Sequence, residues 1–110
     1  MPIASCNNTL VEKSALTIDV KDYGFARGLT VFELARLYNG NPFRLDDHLD
    51  RLHNGAATLG LKLPLSIDEI KTIITRITTT NRFAHSALKF YLTAGISATS
   101  PHSFADDHAF

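Results

Sequence analysis

The chain has 110 residues, 45% of them hydrophobic and 20% charged, which suits one ordinary globular domain with a modest core. Its eleven basic and eleven acidic residues cancel, and that neutrality argues against nucleic-acid or membrane-surface partners, which draw on a basic excess. No apolar run reaches the length of a membrane span, the N-terminus lacks a signal-peptide layout, and the single cysteine, Cys6, cannot form an internal disulfide, so cytoplasm is the default location.

The first eight residues read as a tag remnant, a frayed end or an edge strand. Thr9 to Val11 and Leu16 to Ile18 are weak strand candidates, and Asp22-Tyr23-Gly24 with Arg27-Gly28 reads as a loop. Thr30 to Tyr38 alternates with period two. Val31, Glu33, Ala35 and Leu37 share one face; Phe32, Leu34, Arg36 and Tyr38 share the other. Both faces are largely apolar, which predicts a central strand. Asn39-Gly40 suits the positive φ angles of a tight hairpin turn, with Pro42 to Arg44 returning.

Asp46 is positioned to cap a helix with the apolar stripe Leu49, Leu52, Ala56 and Leu59, ended by Gly60. Ser66-Ile67-Asp68-Glu69 is a capping box opening a second helix near 66–80, with Ile70, Ile73, Ile74 and Ile77 on one side. Ser86 to Thr93 alternates again, with Leu88, Phe90 and Leu92 inward, and the residues from Gly95 onward read as a loop. The predicted fold class is α+β. One small antiparallel sheet, with the N-terminal strands included, carries two helices packed on one face. No helix is left for the Phe32/Leu34 face, so a second domain or subunit is expected to cover it, and the isolated chain is expected to self-associate.

An arginine on a helix flank, as Arg51 is here, is ordinarily a solvated charge. Glu33 and Arg36 lie in a mostly apolar strand and call for partners. The five histidines show no recognised metal-ligand spacing, and His48 and His53, five apart, share a helix face poorly. No metal site is expected.

Taken in order, Gly24, Gly28, Val31-Phe32-Glu33, Arg36, Tyr38-Asn39-Gly40, Phe43-Arg44-Leu45, His48-Leu49, Arg51-Leu52, Ala56 and Leu59-Gly60 resemble the class-IV aminotransferases. These are fold-type IV pyridoxal-phosphate enzymes that include branched-chain and D-amino-acid aminotransferases and aminodeoxychorismate lyase. The resemblance covers roughly Leu10 to Gly95. It implies that Arg51 binds the cofactor phosphate, a role suited to a permanent charge on a planar fork of donors. It implies that Phe32 lines the substrate pocket, and it makes Lys89 and Arg27 candidates for holding a substrate carboxylate. Some members place an arginine just before the glycine that follows the last strand. Ala94 stands there in this chain, which counts against a D-alanine type.

The resemblance further implies what residues 1–95 are: the N-terminal small domain, with 96–110 a loop toward a larger catalytic domain. That second domain carries the family's Schiff-base lysine, so none of Lys13, Lys21, Lys62, Lys71 and Lys89 is expected to be catalytic. The expected parent is a homo-oligomeric aminotransferase moving an amino group between an amino acid and a 2-keto acid. The alternatives are a pyridoxal-phosphate lyase of the aminodeoxychorismate type and a non-catalytic α+β module. This chain alone is expected to be inactive and without bound cofactor.

Overall fold

In the computed structural model, which describes residues 2–82 and 85–96, the chain opens with β1 (Ile3–Cys6) and β2 (Thr9–Glu12). They pair with each other, Cys6 opposite Thr9, around Asn7 and Asn8, whose φ angles are 50° and 67°. Asparagine tolerates the left-handed region, and two such residues make a two-residue hairpin turn. The ribbon is a separate two-stranded sheet, which corrects the expectation of a single sheet. Its ladder partners are supplied internally, each strand pairing with the other.

After a 3-10 turn at Lys13–Ala15, Leu16 to Ile18 forms no strand. Leu16 and Ile18 lie on the surface with no ladder to join. Tyr23–Ala26 is a helical turn, α1, rather than loop, because the Asp22 carboxylate caps it by accepting from the Gly24 N–H at 2.7 Å.

The main sheet has the order β4-β3-β5, built from β3 (Thr30–Tyr38), β4 (Asn41–Pro42) and β5 (His85–Thr93). The strand β3 is central, as its two apolar faces predict. It pairs antiparallel with β5 from Thr30↔Thr93 to Tyr38↔His85. Asn39 and Gly40, at φ 51° and 78°, make the predicted hairpin turn. The return strand is shorter and earlier than expected: its ladder ends at Pro42, although the Phe43 N–H still donates to the Arg36 carbonyl at 2.7 Å.

The helices are α2 (Leu45–Leu59) and α3 (Ile67–Asn81). Asp46 is not the N-cap of α2. Arg44 holds that position in the left-handed region, and Asp46 and Asp47 fall in the first turn, where acidic side chains favour the helix dipole. Their charges are also spent on neighbours, Asp47 on Arg44 Nε at 2.8 Å and Asp46 on Lys71 Nζ at 2.6 Å. The capping box at Ser66 and Glu69 forms in both directions, at 3.1 and 3.0 Å, and Gly60 ends α2 as predicted.

Both helices cover the Val31/Glu33/Ala35/Leu37 face of β3. Ala35, Leu37, Leu49, Leu52, Ile70, Ile74, Leu88 and Phe90 form the core. Leu59 is partly outside the stripe, since its side chain reaches the surface. A second cluster of Tyr23, Ala56, Leu61, Leu92 and Ala94 fastens α1 to the end of β5. The N-terminal ribbon is held to α3 by Asn81, whose Oδ1 accepts from Ile3 N–H at 2.7 Å and whose Nδ2 donates to Ile3 O at 2.9 Å. Among the described residues no helix is long and apolar enough to cross a membrane. The predicted loop from Gly95 lies largely outside the described residues.

Candidate functional site

Glu33 is the one charged residue on the helix-covered face of β3, and it is 6% exposed. A carboxylate there needs partners, because desolvating an unpaired charge is costly. Both its oxygens have one. Oε1 lies 3.2 Å from Arg51 Nε and Oε2 lies 2.9 Å from His48 Nδ1. His48 and Arg51 are three residues apart on α2, so their side chains share a helix face. The helix crosses β3 closely just there: a Cβ added at Gly55 would meet Val31 Cγ1 at 3.3 Å. An ionised carboxylate can only accept, so His48 carries its proton on Nδ1 when it bonds Glu33.

The Arg51 side chain is 75% exposed. Its tie is through Nε, and its guanidinium has no other hydrogen bond or ion pair with a described residue. The terminal nitrogen pair is thus without a polar partner among the described residues. A guanidinium anchored from behind by a buried carboxylate has the chemistry of a phosphate clamp.

The other predicted residues sit on the opposite face of the sheet or at its end. Phe32 is 60% exposed and stacks on Tyr91 with ring centroids 5.6 Å apart. Lys89 lies opposite Leu34 on the same outer face and is exposed. Arg36 shares that face and is also exposed, so it is solvated rather than in need of the buried partner expected for it. Arg27 follows α1, its guanidinium 5.5 Å from the centroid of the Tyr23 ring. Phe32, Lys89 and Glu33 all fall within the Thr30–Leu34 stretch of the β3–β5 ladder. Phe32 and Lys89 thus belong to the face of the sheet opposite the one covered by α2, the helix that carries Arg51. No group of three His, Cys, Asp or Glu residues suited to a metal ion occurs among the described residues.

The residue that sequence reasoning passed over is His48. Its signal was present: the period-two pattern turns Glu33 inward, and a histidine and an arginine three apart on the covering helix are placed to meet it. A cavity of about 490 Å³ lies elsewhere, lined by His53, Ala56, Leu61, Lys62 and Ser66 among others. It is lined by neither Glu33 nor Arg51 and lies between the end of α2 and the connection that leads into α3.

The Asp22 carboxylate organises the far end of β5. Oδ2 accepts from Thr93 Oγ1 at 3.0 Å, and Thr93 Oγ1 accepts from Gly95 N–H at 3.2 Å. Tyr23 N–H donates to Gly95 O at 2.8 Å. This network fixes the path of the chain as it leaves β5.

Comparison with known proteins agrees with this architecture. The chain is 34% identical over 101 residues to a D-alanine aminotransferase of Listeria monocytogenes, covering 92% of this chain and 35% of that protein. It is 31% identical over 93 residues to an aminodeoxychorismate lyase of Bacillus subtilis, covering 83% and 32%. Its fold matches the branched-chain aminotransferase of the thermophilic archaeon Thermoproteus uzoniensis with a TM-score of 0.77 at 23% identity, over 98% of this chain and 38% of that one. The chain therefore spans about a third of the length of the curated relatives it matches. Residues 30–109 match the family model for amino-transferase class IV, and on that match the chain belongs to the class IV aminotransferases.

Proposed function

We propose that residues 1–95 are the small domain of a pyridoxal-phosphate-dependent aminotransferase, that 96–110 lead toward its larger domain, and that Arg51 holds the cofactor phosphate. The observation that carries this reading is the Arg51 guanidinium, backed at Nε by the buried Glu33 carboxylate and otherwise open. The donor set fits a phosphate. Arg51 supplies permanent charge and paired donors, and Glu33 fixes the stem without occupying the fork. When bound, the cofactor supplies an electron sink to the amino-acid substrate. This chain's residues bind and orient. On the outer face Phe32 packs against a substrate side chain, and the charges of Lys89 and Arg27 attract a substrate carboxylate.

The outer face carries Phe32, Leu34, Tyr38, Phe43 and Tyr91, all well exposed, and we assign it to contact with the larger domain or a second subunit of a homo-oligomer. The 110-residue chain by itself transfers no amino group, because the catalytic lysine lies in the larger domain. Similarity to the Listeria protein favours a D-amino-acid donor, even though Ala94 stands where an arginine was expected for that type. Similarity to the Bacillus protein supports a second reading, a lyase acting on an aminodeoxychorismate-type substrate.

The test is an assay of the parent protein with D-alanine and with branched-chain L-amino acids as donors to a 2-oxo acid, run beside aminodeoxychorismate. Amino transfer supports the main reading and lyase turnover the second. A parent with no lysine-bearing second domain, or with neither activity, refutes both.

A further inference from the structure

Packing between β3 and α2 gives no reason for a carboxylate at position 33. Its neighbours on that face, Val31, Ala35 and Leu37, are apolar and contribute to the core, and an apolar side chain there would avoid the cost of burying a charge. The carboxylate is accounted for only by what it holds. One oxygen faces Arg51 Nε at 3.2 Å, and the other is occupied by His48 Nδ1 at 2.9 Å. His48 is itself largely buried, with a side chain 21% exposed. The histidine bond stops the carboxylate from turning, so Oε1 stays aimed at the helix flank where Arg51 leaves α2. Arg51 would otherwise be a long, exposed side chain free to sample many rotamers, and each anion it caught would have to arrest that motion.

We propose that Glu33 is a positioning residue: it pre-orients the Arg51 guanidinium so that its two terminal nitrogens face a phosphate, with His48 fixing Glu33 in turn. This deepens the proposed role of Arg51 and rests on it. The opposing effect is electrostatic. A carboxylate near the anion repels it, and at roughly 7 Å in water that amounts to about 0.6 kcal/mol, a factor of about three, for each unit of charge on the phosphate. Glu33→Asp separates the two effects, because it keeps the charge and withdraws it by one methylene from Arg51. Glu33→Gln removes the charge and keeps the length.

The experiment is an NMR titration of the 110-residue chain with inorganic phosphate, read at the Arg51 Nε–H signal together with its ¹⁵N order parameter before phosphate is added. In the wild-type chain the Arg51 order parameter exceeds that of Arg76, an exposed arginine on α3. In Glu33→Asp it falls to the Arg76 level, and phosphate affinity drops about 2- to 10-fold, the range expected for one side chain's lost pre-organisation. In an Arg51→Ala background, Glu33→Asp changes nothing further at the remaining phosphate-responsive signals. The amide spectrum of each variant establishes that the fold is retained, and the order parameter of a folded Glu33→Gln chain serves if Glu33→Asp does not fold.

The outcomes are distinct. If Arg51→Ala binds phosphate as the wild type does, the clamp reading fails and the positioning role falls with it. If Arg51→Ala weakens phosphate while Glu33→Asp leaves both affinity and order parameter unchanged, Arg51 remains the clamp and Glu33 is not its positioning residue. If Glu33→Asp weakens phosphate equally with and without Arg51, its effect is structural and the proposal is overturned.

Discussion

Replacing Gly24 by alanine adds one methyl group at the point where α1 meets β5. A Cβ there would lie 2.6 Å from Thr93 Cγ2, 2.8 Å from Thr93 Cβ and 3.0 Å from Asp22 Oδ1. All three are inside ordinary contact distance, so something must move. Thr93 is poorly able to do so, because it is 7% exposed and its hydroxyl both donates to Asp22 Oδ2 and accepts from Gly95 N–H. Overpacking of this kind costs about 1–3 kcal/mol. Alanine's better helix propensity offsets at most about 1 kcal/mol, and less in a single turn. The net loss is about 1–2 kcal/mol, a fall in Tm of roughly 4–15 °C for a domain of this size.

The assay is thermal unfolding of Gly24→Ala, Thr93→Ser and the double variant. Thr93→Ser removes the nearest clashing atom and keeps the hydroxyl. The alanine penalty should therefore shrink in the serine background, a coupling that a double-mutant cycle reads directly. An unchanged Tm for Gly24→Ala, or an equal penalty in both backgrounds, refutes the clash as its cause.

Leu52→Ala, at a site 1% exposed in the core, should destabilise by about 2–5 kcal/mol in chemical denaturation. Asn81→Ala removes both bonds to Ile3. It should speed hydrogen exchange in Ile3 to Glu12 while leaving the β3–β5 ladder protected; uniform loss of protection would show that the ribbon is not an independent unit. Lys71 is held above the ordinary lysine value of 10.5 by its hydrogen bond to Asp46 and that carboxylate's charge. Its contribution to stability is present in full below that value and is lost as pH rises beyond it through the raised one. The group is exposed, so Lys71→Gln should lower Tm only slightly at neutral pH. That difference should close only under alkaline conditions, and a difference that does not change with pH would contradict the pairing.

The main sheet and both helices were readable because their signals are periodic or local: the alternation of 30–38 and 86–93, the Asn39-Gly40 turn, and the capping box at Ser66. The N-terminal ribbon was not. Its marker is Asn7-Asn8, a turn written without glycine, and its attachment depends on Asn81, 78 residues away from Ile3 in the chain. The start of α2 was displaced because Arg44 adopts a left-handed conformation that nothing in its residue type announces. At the site, Arg51 was assigned through its family resemblance and not from its own surroundings. Glu33 was recognised as needing partners, but the histidine that provides one was matched to the family pattern and weighed as a metal ligand without being connected to Glu33.

The most direct test of the account is equilibrium binding to the parent apoenzyme of pyridoxal 5′-phosphate and of pyridoxal, which lacks the phosphate, with Arg51 intact and with Arg51→Ala. Hydrogen bonds to charged groups contribute about 1.5–3 kcal/mol, so the substitution should weaken the phosphorylated ligand roughly 10- to 150-fold and leave pyridoxal unaffected. Equal losses for both ligands, or no loss for either, would contradict the assignment of Arg51 as the phosphate clamp.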